Sequence, residues 1–143
     1  MRLVADTNIL FSFFNRKSTA RALSFRMDMV LHSPAFSLQE LEKHRADIIE
    51  RFPVSEAQFE FEKKLLSFAV KFHKDEEYKD FLALAQKASP DPDDTDFFAL
   101  ALKLGCHIWS EEKALKEQSF VEVMSTKELL RKLQSPIPTQ KNP

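Results

Sequence analysis

The sequence predicts an α/β fold of three layers, with helices on both faces of a central parallel sheet of about four strands. Two observations predict it. Short apolar runs alternate with helical patterns along nearly the whole chain, as in successive βαβ units of a parallel sheet that helices cover on both faces. The length of 143 residues suits a single domain with one substantial core.

The first half of the chain begins with a buried strand over residues 1–5, which ends at Asp6. A helix follows at about 18–27, a second strand at 29–32, and a helix at 36–51 that Pro53 ends. A further helix starts at Ser55 and carries a stripe of apolar side chains at helical spacing: Phe61, Leu65, Phe68 and Phe72. Another helix is predicted over 75–87. These helices form an insert between the second and third strands.

The second half resumes after a break at 89–92, where two prolines disfavour helix. We expect a helix at 94–104, closed by Gly105 as its C′ residue. A strand at 106–109, a short acidic helix at 112–116, a strand at 120–123 and a helix at 126–133 complete the domain. Residues 1–134 therefore form one domain, and 135–143, with three prolines, form a flexible tail.

Composition excludes several classes of function. A single glycine cannot build a dinucleotide fingerprint, a Walker A loop or a nucleophile elbow. One cysteine excludes a disulfide framework and suits a reducing cytoplasm. No apolar run approaches the length of a membrane span, and the N-terminus lacks a signal sequence. The near balance of 21 basic and 22 acidic residues argues against nucleic-acid binding by bulk charge.

Acidic residues fall where a ligand site is expected. Ligands of open parallel sheets bind beyond the carboxyl ends of the strands, near the point where strand order reverses. Four acidic clusters are predicted there: Asp6, Glu40, the group Asp91, Asp93, Asp94 and Asp96, and the pair Glu111 and Glu112. Carboxylate oxygens are the ligands that Mg²⁺ and Mn²⁺ prefer, and such ions can drive phosphodiester cleavage.

Purely structural roles are the alternative for most of these acids. Ser37 to Glu40 matches a capping box, as do Ser55 to Gln58 and Ser125 to Glu128. Asp93 and Asp96 suit the start of a helix, and Glu111 and Glu112 suit an exposed turn. His44, one turn after Glu40, is expected to be solvated. Asp6 has few structural roles open to it, because it ends an apolar strand.

Together the clusters resemble the PIN-domain ribonucleases, from Leu3 to about Leu133. The run Leu3-Val4-Ala5-Asp6-Thr7-Asn8 is similar to the family's first strand and DTN motif. Ser33 to Leu41 resembles the stretch that ends in a Glu-Leu pair, and Asp91 to Ala101 the acidic segment that opens an Ala-rich helix. Gly105 to Lys113 resembles the strand that ends in Thr-x-Asp, with Ser110 in place of threonine and Glu112 in place of aspartate.

The resemblance implies a role for each matching residue. Asp6, Glu40, Asp94 and Glu112 would be the catalytic and metal-binding carboxylates, and Asn8, Ser110 and Asp96 would support them, although Asp96 stands where the family has a nonacidic residue. The implied cofactor is Mg²⁺ or Mn²⁺, and the implied substrate is single-stranded or structured RNA. The resemblance also implies a cytoplasmic homodimer that acts as the VapC-type toxin of a toxin–antitoxin pair.

Two other functions remain open at this stage. The substitution by Glu112 and the helical insert favour a module that binds metal or RNA in an RNA-processing or ribosome-associated assembly, without turnover. A receiver-like signalling domain also places acids at strand ends. It requires an aspartate at the end of a middle strand and a lysine at the end of a later one, and His32-Ser33 and Val123-Met124-Ser125 stand there instead.

Overall fold

A computed structural model of the protein describes residues 1–134. Within them the predicted α/β fold is confirmed, with five strands where about four were predicted. The strands are β1 (Arg2–Ala5), β2 (Val30–Pro34), β3 (Val70–His73), β4 (His107–Trp109) and β5 (Val123–Met124). The proline-containing segment 135–143, predicted to be a flexible tail, lies outside the described residues.

The helices alternate with these strands along the chain. They are α1 (Thr7–Ser12), α2 (Thr19–Ser24), α3 (Phe36–Lys43), α4 (Arg45–Arg51), α5 (Glu56–Ala69), α6 (Leu82–Ala88), α7 (Thr95–Leu104) and α8 (Thr126–Gln134). Short 3₁₀ turns are found at Asp75–Glu77, Lys79–Phe81, Pro92–Asp94 and Lys113–Glu117. No helix within residues 1–134 is long and apolar enough to cross a bilayer.

The sheet has the order β3-β2-β1-β4-β5, and every neighbouring pair of strands is parallel. The chain first adds strands on one side of β1 and later adds β4 and β5 on the other side. Strand order therefore reverses between β1 and β4, and their carboxyl ends border the crevice where ligands of such sheets bind.

Alternate side chains of β1 pack into two separate apolar cores, one on each face of the sheet. Leu3 and Ala5 pack with residues of α1 to α5 and α8 on one face. Val4 packs on the other face with residues of α6 and α7, including Phe98. Helices thus cover both faces of the sheet, as the predicted three-layer arrangement requires.

β3 is the main difference from the predicted elements. The helix that was expected to include Phe72 ends at Ala69, and the chain enters β3 at Val70 without an intervening turn. The expected stripe was wrong in part. Leu65 and Phe72 pack against the core, but Phe61 and Phe68 are 59% and 90% exposed, and Phe59, Glu62 and Leu66 form the buried face. Glu62 can lie on this face because Arg21 of α2 pairs with it.

Smaller differences concern helix ends. The predicted helix at 36–51 is two helices that meet at His44, and the one at 75–87 begins as two 3₁₀ turns. Gly105 closes α7 with φ of 63°, as predicted. The capping boxes at Ser55 and Ser125 are present. The one at Ser37 is not, because its hydroxyl contacts Ser33 inside α3.

Candidate metal and nucleic-acid site

Asp6 lies at the junction of β1 and α1. Its backbone N–H donates to the carbonyl of Trp109 at 3.2 Å, which continues the pairing of β1 with β4. Its carboxylate Oδ1 accepts from the Ile9 N–H at 2.9 Å and so caps α1. Asp6 therefore has a structural role that the sequence did not suggest. The cap engages Oδ1, and the Ser110 hydroxyl also hydrogen-bonds the carboxylate.

The surroundings of Asp6 disfavour its charged form. The side chain is 5% exposed, and burial is the main reason that its pKa rises from 3.8 to about 6. The carboxylates of Glu112 and Glu111 raise this pKa further, whereas hydrogen bonds from Ser110 and Ile9 lower it. Within residues 1–134, the charged groups that shift this pKa are carboxylates and not cations.

Asp94 is the second acid whose pKa is shifted upward. It ends the turn Pro92–Asp94, immediately before α7. Its pKa also rises to about 6, first because it is partly buried, and then through the charges of Glu112, Asp91, Asp6 and Asp93. The charge of Asp6 thus raises the pKa of Asp94, and the charge of Glu112 raises the pKa of both.

Glu112 reaches this group from the segment that follows β4. Its N–H donates to the hydroxyl of Ser110 at 3.0 Å, and Ser110 is fully buried at the end of the strand. The Ser110 hydroxyl therefore fixes the turn that carries Glu112 and also interacts with Asp6. This is the arrangement expected of a residue that orients functional groups.

Glu40 approaches from α3, across a cavity of about 440 Å³. The cavity is lined by Thr7, Phe11, Phe36, Glu40, Lys43, His44, Asp93, Asp94 and Phe97. Glu40 Oε2 lies 3.6 Å from His44 Nε2. The structure therefore places Glu40 and Asp94 on the same cavity, with two basic side chains beside them.

Two of the predicted supporting residues lie differently. Asp96 accepts a hydrogen bond from the Tyr78 hydroxyl at 2.6 Å and borders another cavity, beside Pro92 and Gln86. Asn8 is exposed on α1, and within residues 1–134 the hydrogen bonds to the Asp6 carboxylate come from other residues. Asp96 and Asn8 therefore take no part in the contacts that hold Asp6 and the turn at Glu112.

The basic side chains on the wall of the cavity were not predicted to belong to the site. His44, which was expected to be solvated, keeps 42% of its side chain exposed, and its ring edge lies against Phe11 at 5.6 Å between centroids. Lys43 lines the same cavity. Their positions three and four residues after Glu40 were the available signal, because side chains at this spacing share a helix face.

The carboxylates of Asp6, Asp94 and Glu112, which we call the central carboxylates, offer the oxygen ligands that suit a hard divalent cation. Within the described residues, no three His, Cys, Asp or Glu side chains converge closely enough to form a ready-made metal site. Mg²⁺ retains several waters and is commonly held through one or two carboxylates. A group of mutually repelling carboxylates therefore fits such a partly hydrated ion, and it does not fit a closed tetrahedral zinc site.

A parallel α/β sheet with uncompensated carboxylates at its switch point belongs to the class of folds that bind charged ligands at the carboxyl edge. The family model of the PIN domain matches residues 4–134, and the chain belongs to the PIN-domain family. PIN domains are generally nucleases that act on nucleic acids. A comparison with curated proteins gave no match.

Proposed function

We propose that this protein is a divalent-metal-dependent endoribonuclease that cleaves single-stranded RNA. One observation carries the proposal. Asp6, Asp94 and Glu112 come from three distant parts of the chain, and their charges act on one another beside the switch point of the sheet. Folding these acids together is unfavourable unless a positive ligand offsets their repulsion.

Asp6, Asp94 and Glu112 would hold Mg²⁺ or Mn²⁺. Glu40, from α3, lines one cavity together with Asp94. A cation bound there would polarise the phosphodiester and make a nearby water more acidic. The protein's own contribution is placement. Ile9 and Ser110 hold Asp6 and the turn at Glu112. Lys43 supplies positive charge for phosphate on the cavity wall, and the imidazole of His44 lies beside it.

The aromatic lining of the same cavity supports a single-stranded substrate. Phe11, Phe36 and Phe97 border it, and the rings of Phe36 and Phe97 pack edge to face at 5.5 Å. Unpaired bases bind by stacking on aromatic side chains, whereas the bases of a duplex are already stacked on each other.

The test is cleavage of a labelled single-stranded RNA by the purified protein with Mn²⁺ or Mg²⁺. Asp94→Asn should abolish cleavage while the protein stays folded. Asp80→Asn is the matched control, because Asp80 is exposed and does not line the cavity, and it should cleave like the wild type. Cleavage that persists in EDTA, or in Asp94→Asn, would contradict the proposal.

A second candidate is a PIN-like module that binds metal or RNA in an RNA-processing or ribosome-associated assembly, without turnover. It is favoured by the exposed position of Glu112 and by the absence, within residues 1–134, of three converged ligands. It predicts metal-dependent RNA binding with no cleavage over hours. The cleavage assay and a binding assay under the same conditions distinguish the two.

A role as a toxin with an antitoxin partner, and a homodimeric state, belong to the same proposal and rest on the family resemblance. A reading frame for a small DNA-binding protein beside this gene would support the toxin role. Inhibition of cleavage by that protein would establish it. Light scattering of the purified protein tests the dimer.

A further inference from the structure

Three neighbouring cavities, which share lining residues, form a row that we call the channel. The cavity at Glu40 and Asp94 shares Phe11 and His44 with a second cavity of about 170 Å³. The second shares Arg51 and Phe52 with a third, of about 500 Å³. The channel therefore runs from the carboxylates past α4 to the loop that follows α1.

The two ends of the channel carry opposite charge. Asp93, Asp94 and Glu40 line the first cavity. Arg16, Lys17 and Arg51 line the third, and no carboxylate lines it. Arg16 Nε lies 3.8 Å from the buried Glu62. Within residues 1–134, neither Lys17 nor Arg51 forms a salt bridge, and both are exposed.

Two partly buried aromatic rings border the channel. Phe11 borders the first and second cavities, and Phe52 borders the second and third. Phe14 also lines the third cavity but is buried in the core. The Arg51 guanidinium lies 5.5 Å from the centre of the Phe52 ring. Alternating rings and cations are the features by which proteins bind a single strand, since bases stack on the rings and phosphates contact the cations.

The middle of the channel carries one acid. Asp47 lines the second cavity, and its carboxylate lies 3.6 Å from His44 Nδ1. Arg51 also lines this cavity, so its charge is mixed, and Phe11 and Phe52 on its wall suit a base. The cationic contacts then fall at the far end, in the third cavity.

We propose that this channel holds the single-stranded flank of the RNA substrate, with Lys17 and Arg51 binding phosphates remote from the carboxylates. The inference rests on the proposed ribonuclease function and extends it. Charge complementarity identifies the occupant, because the third cavity is lined by cations. The lining residues that the three cavities share mark a path for one strand between the third cavity and the carboxylate site. The substrate must then extend several nucleotides beyond the scissile bond.

Binding in EDTA tests the channel independently of cleavage. We would measure fluorescence anisotropy with labelled RNAs of about 4 and about 12 nucleotides, a range typical of single-strand sites. The wild type should bind the longer RNA at least about tenfold more tightly, because the shorter one cannot reach both ends.

Lys17→Gln combined with Arg51→Gln removes the remote cations and spares Arg16, which pairs with Glu62. This double variant should lose the preference for the longer RNA. The slope of log Kd against log salt concentration should fall by about 1.4, since each phosphate contact on a single strand contributes about 0.7. The matched control, Lys87→Gln with Lys127→Gln, removes the same charge from exposed positions outside the channel and should change neither quantity.

Phe52→Leu tests the aromatic contact separately. It keeps an apolar side chain beside the core and should weaken binding of the longer RNA by about fivefold with an unchanged salt slope. Equal weakening by the channel and control variants would overturn the proposal, as would tight binding of the longer RNA by the channel variant. Equal affinity of the wild type for both RNAs would also overturn it. Length-dependent binding without cleavage would support the channel and refute the nuclease function, so the two failures are distinguishable.

Discussion

Glu62 and Asp6 are both buried carboxylates, at 1% and 5% exposure, yet their surroundings are opposite. Glu62 forms a short ion pair with Arg21 and lies 3.8 Å from Arg16. Asp6 has other carboxylates nearby, and their charges raise its pKa. A buried acid that is matched by cations joins elements of the fold, here α5 to α2. A buried acid that faces other acids weakens the fold, and a ligand that offsets the repulsion explains why it is there.

Asp6→Asn should have the largest effect. Cleavage should fall by more than about 100-fold, because an amide cannot replace a charged metal ligand. The metal-free protein should at the same time become more stable at neutral pH, by up to about 3 kcal/mol for a pKa raised from 3.8 to about 6. Asparagine caps helices as well as aspartate does, so α1 keeps its cap.

The free energy of unfolding should depend on pH differently in the wild type and in the same variant. The folded pKa of Asp6 is raised, so the fold favours the protonated acid. This contribution to the free energy of unfolding is intact below about pH 4 and is lost as the pH rises to about 6. Urea unfolding of the metal-free protein across this range should show the decline in the wild type and a smaller one in Asp6→Asn. Equal declines in both proteins would contradict the assignment.

Glu62→Gln should have the opposite outcome. The substitution leaves Arg21 without its buried partner and should lower the free energy of unfolding by about 3 kcal/mol. Cleavage per folded molecule should be unchanged, because Glu62 does not line the cavity at Asp94. Glu56→Gln is a matched control, since its pair with Arg45 is largely exposed and should contribute under about 1 kcal/mol. A loss of cleavage per folded molecule in Glu62→Gln would contradict a purely structural role for Glu62.

Ser110→Ala should have an intermediate effect, confined to the site. The hydroxyl accepts from the Glu112 N–H and lowers the pKa of Asp6. Its loss should raise that pKa and reduce cleavage by about tenfold. Cleavage as a function of pH should shift to higher pH in this variant. Ser110→Thr keeps the hydroxyl and should restore activity, and failure of that rescue would indicate a packing defect instead.

Gly105→Ala should have the smallest effect and should act on the fold alone. The backbone at Gly105 has φ of 63°, which costs other residues about 1 kcal/mol, and an added Cβ would meet no atom within 4 Å. Thermal unfolding should report this loss, with unchanged cleavage at temperatures where the variant is folded. A loss of several kcal/mol would imply a contact that the structure does not contain.

Much of the fold was predictable from the chain itself. Apolar runs and their spacing indicated four of the five strands, and the single glycine indicated the end of α7. β3 was not predictable in this way, because Val70 to Phe72 continue an apolar pattern that fits helix as well as strand. The helix ends there since Val70 and its neighbours pair with β2, and pairing between distant segments leaves no local signal.

The candidate site, like the fold, was predictable only in part. The sequence by itself determined which carboxylates are available, their order along the chain, and the resemblance that selects Asp6, Glu40, Asp94 and Glu112. Only the tertiary structure decided which of them interact. Asp94 faces the central acids, whereas Asp96, two residues later, bonds to Tyr78. Successive helical residues point about 100° apart, so neighbours in sequence face different surroundings, and folding alone determines those surroundings.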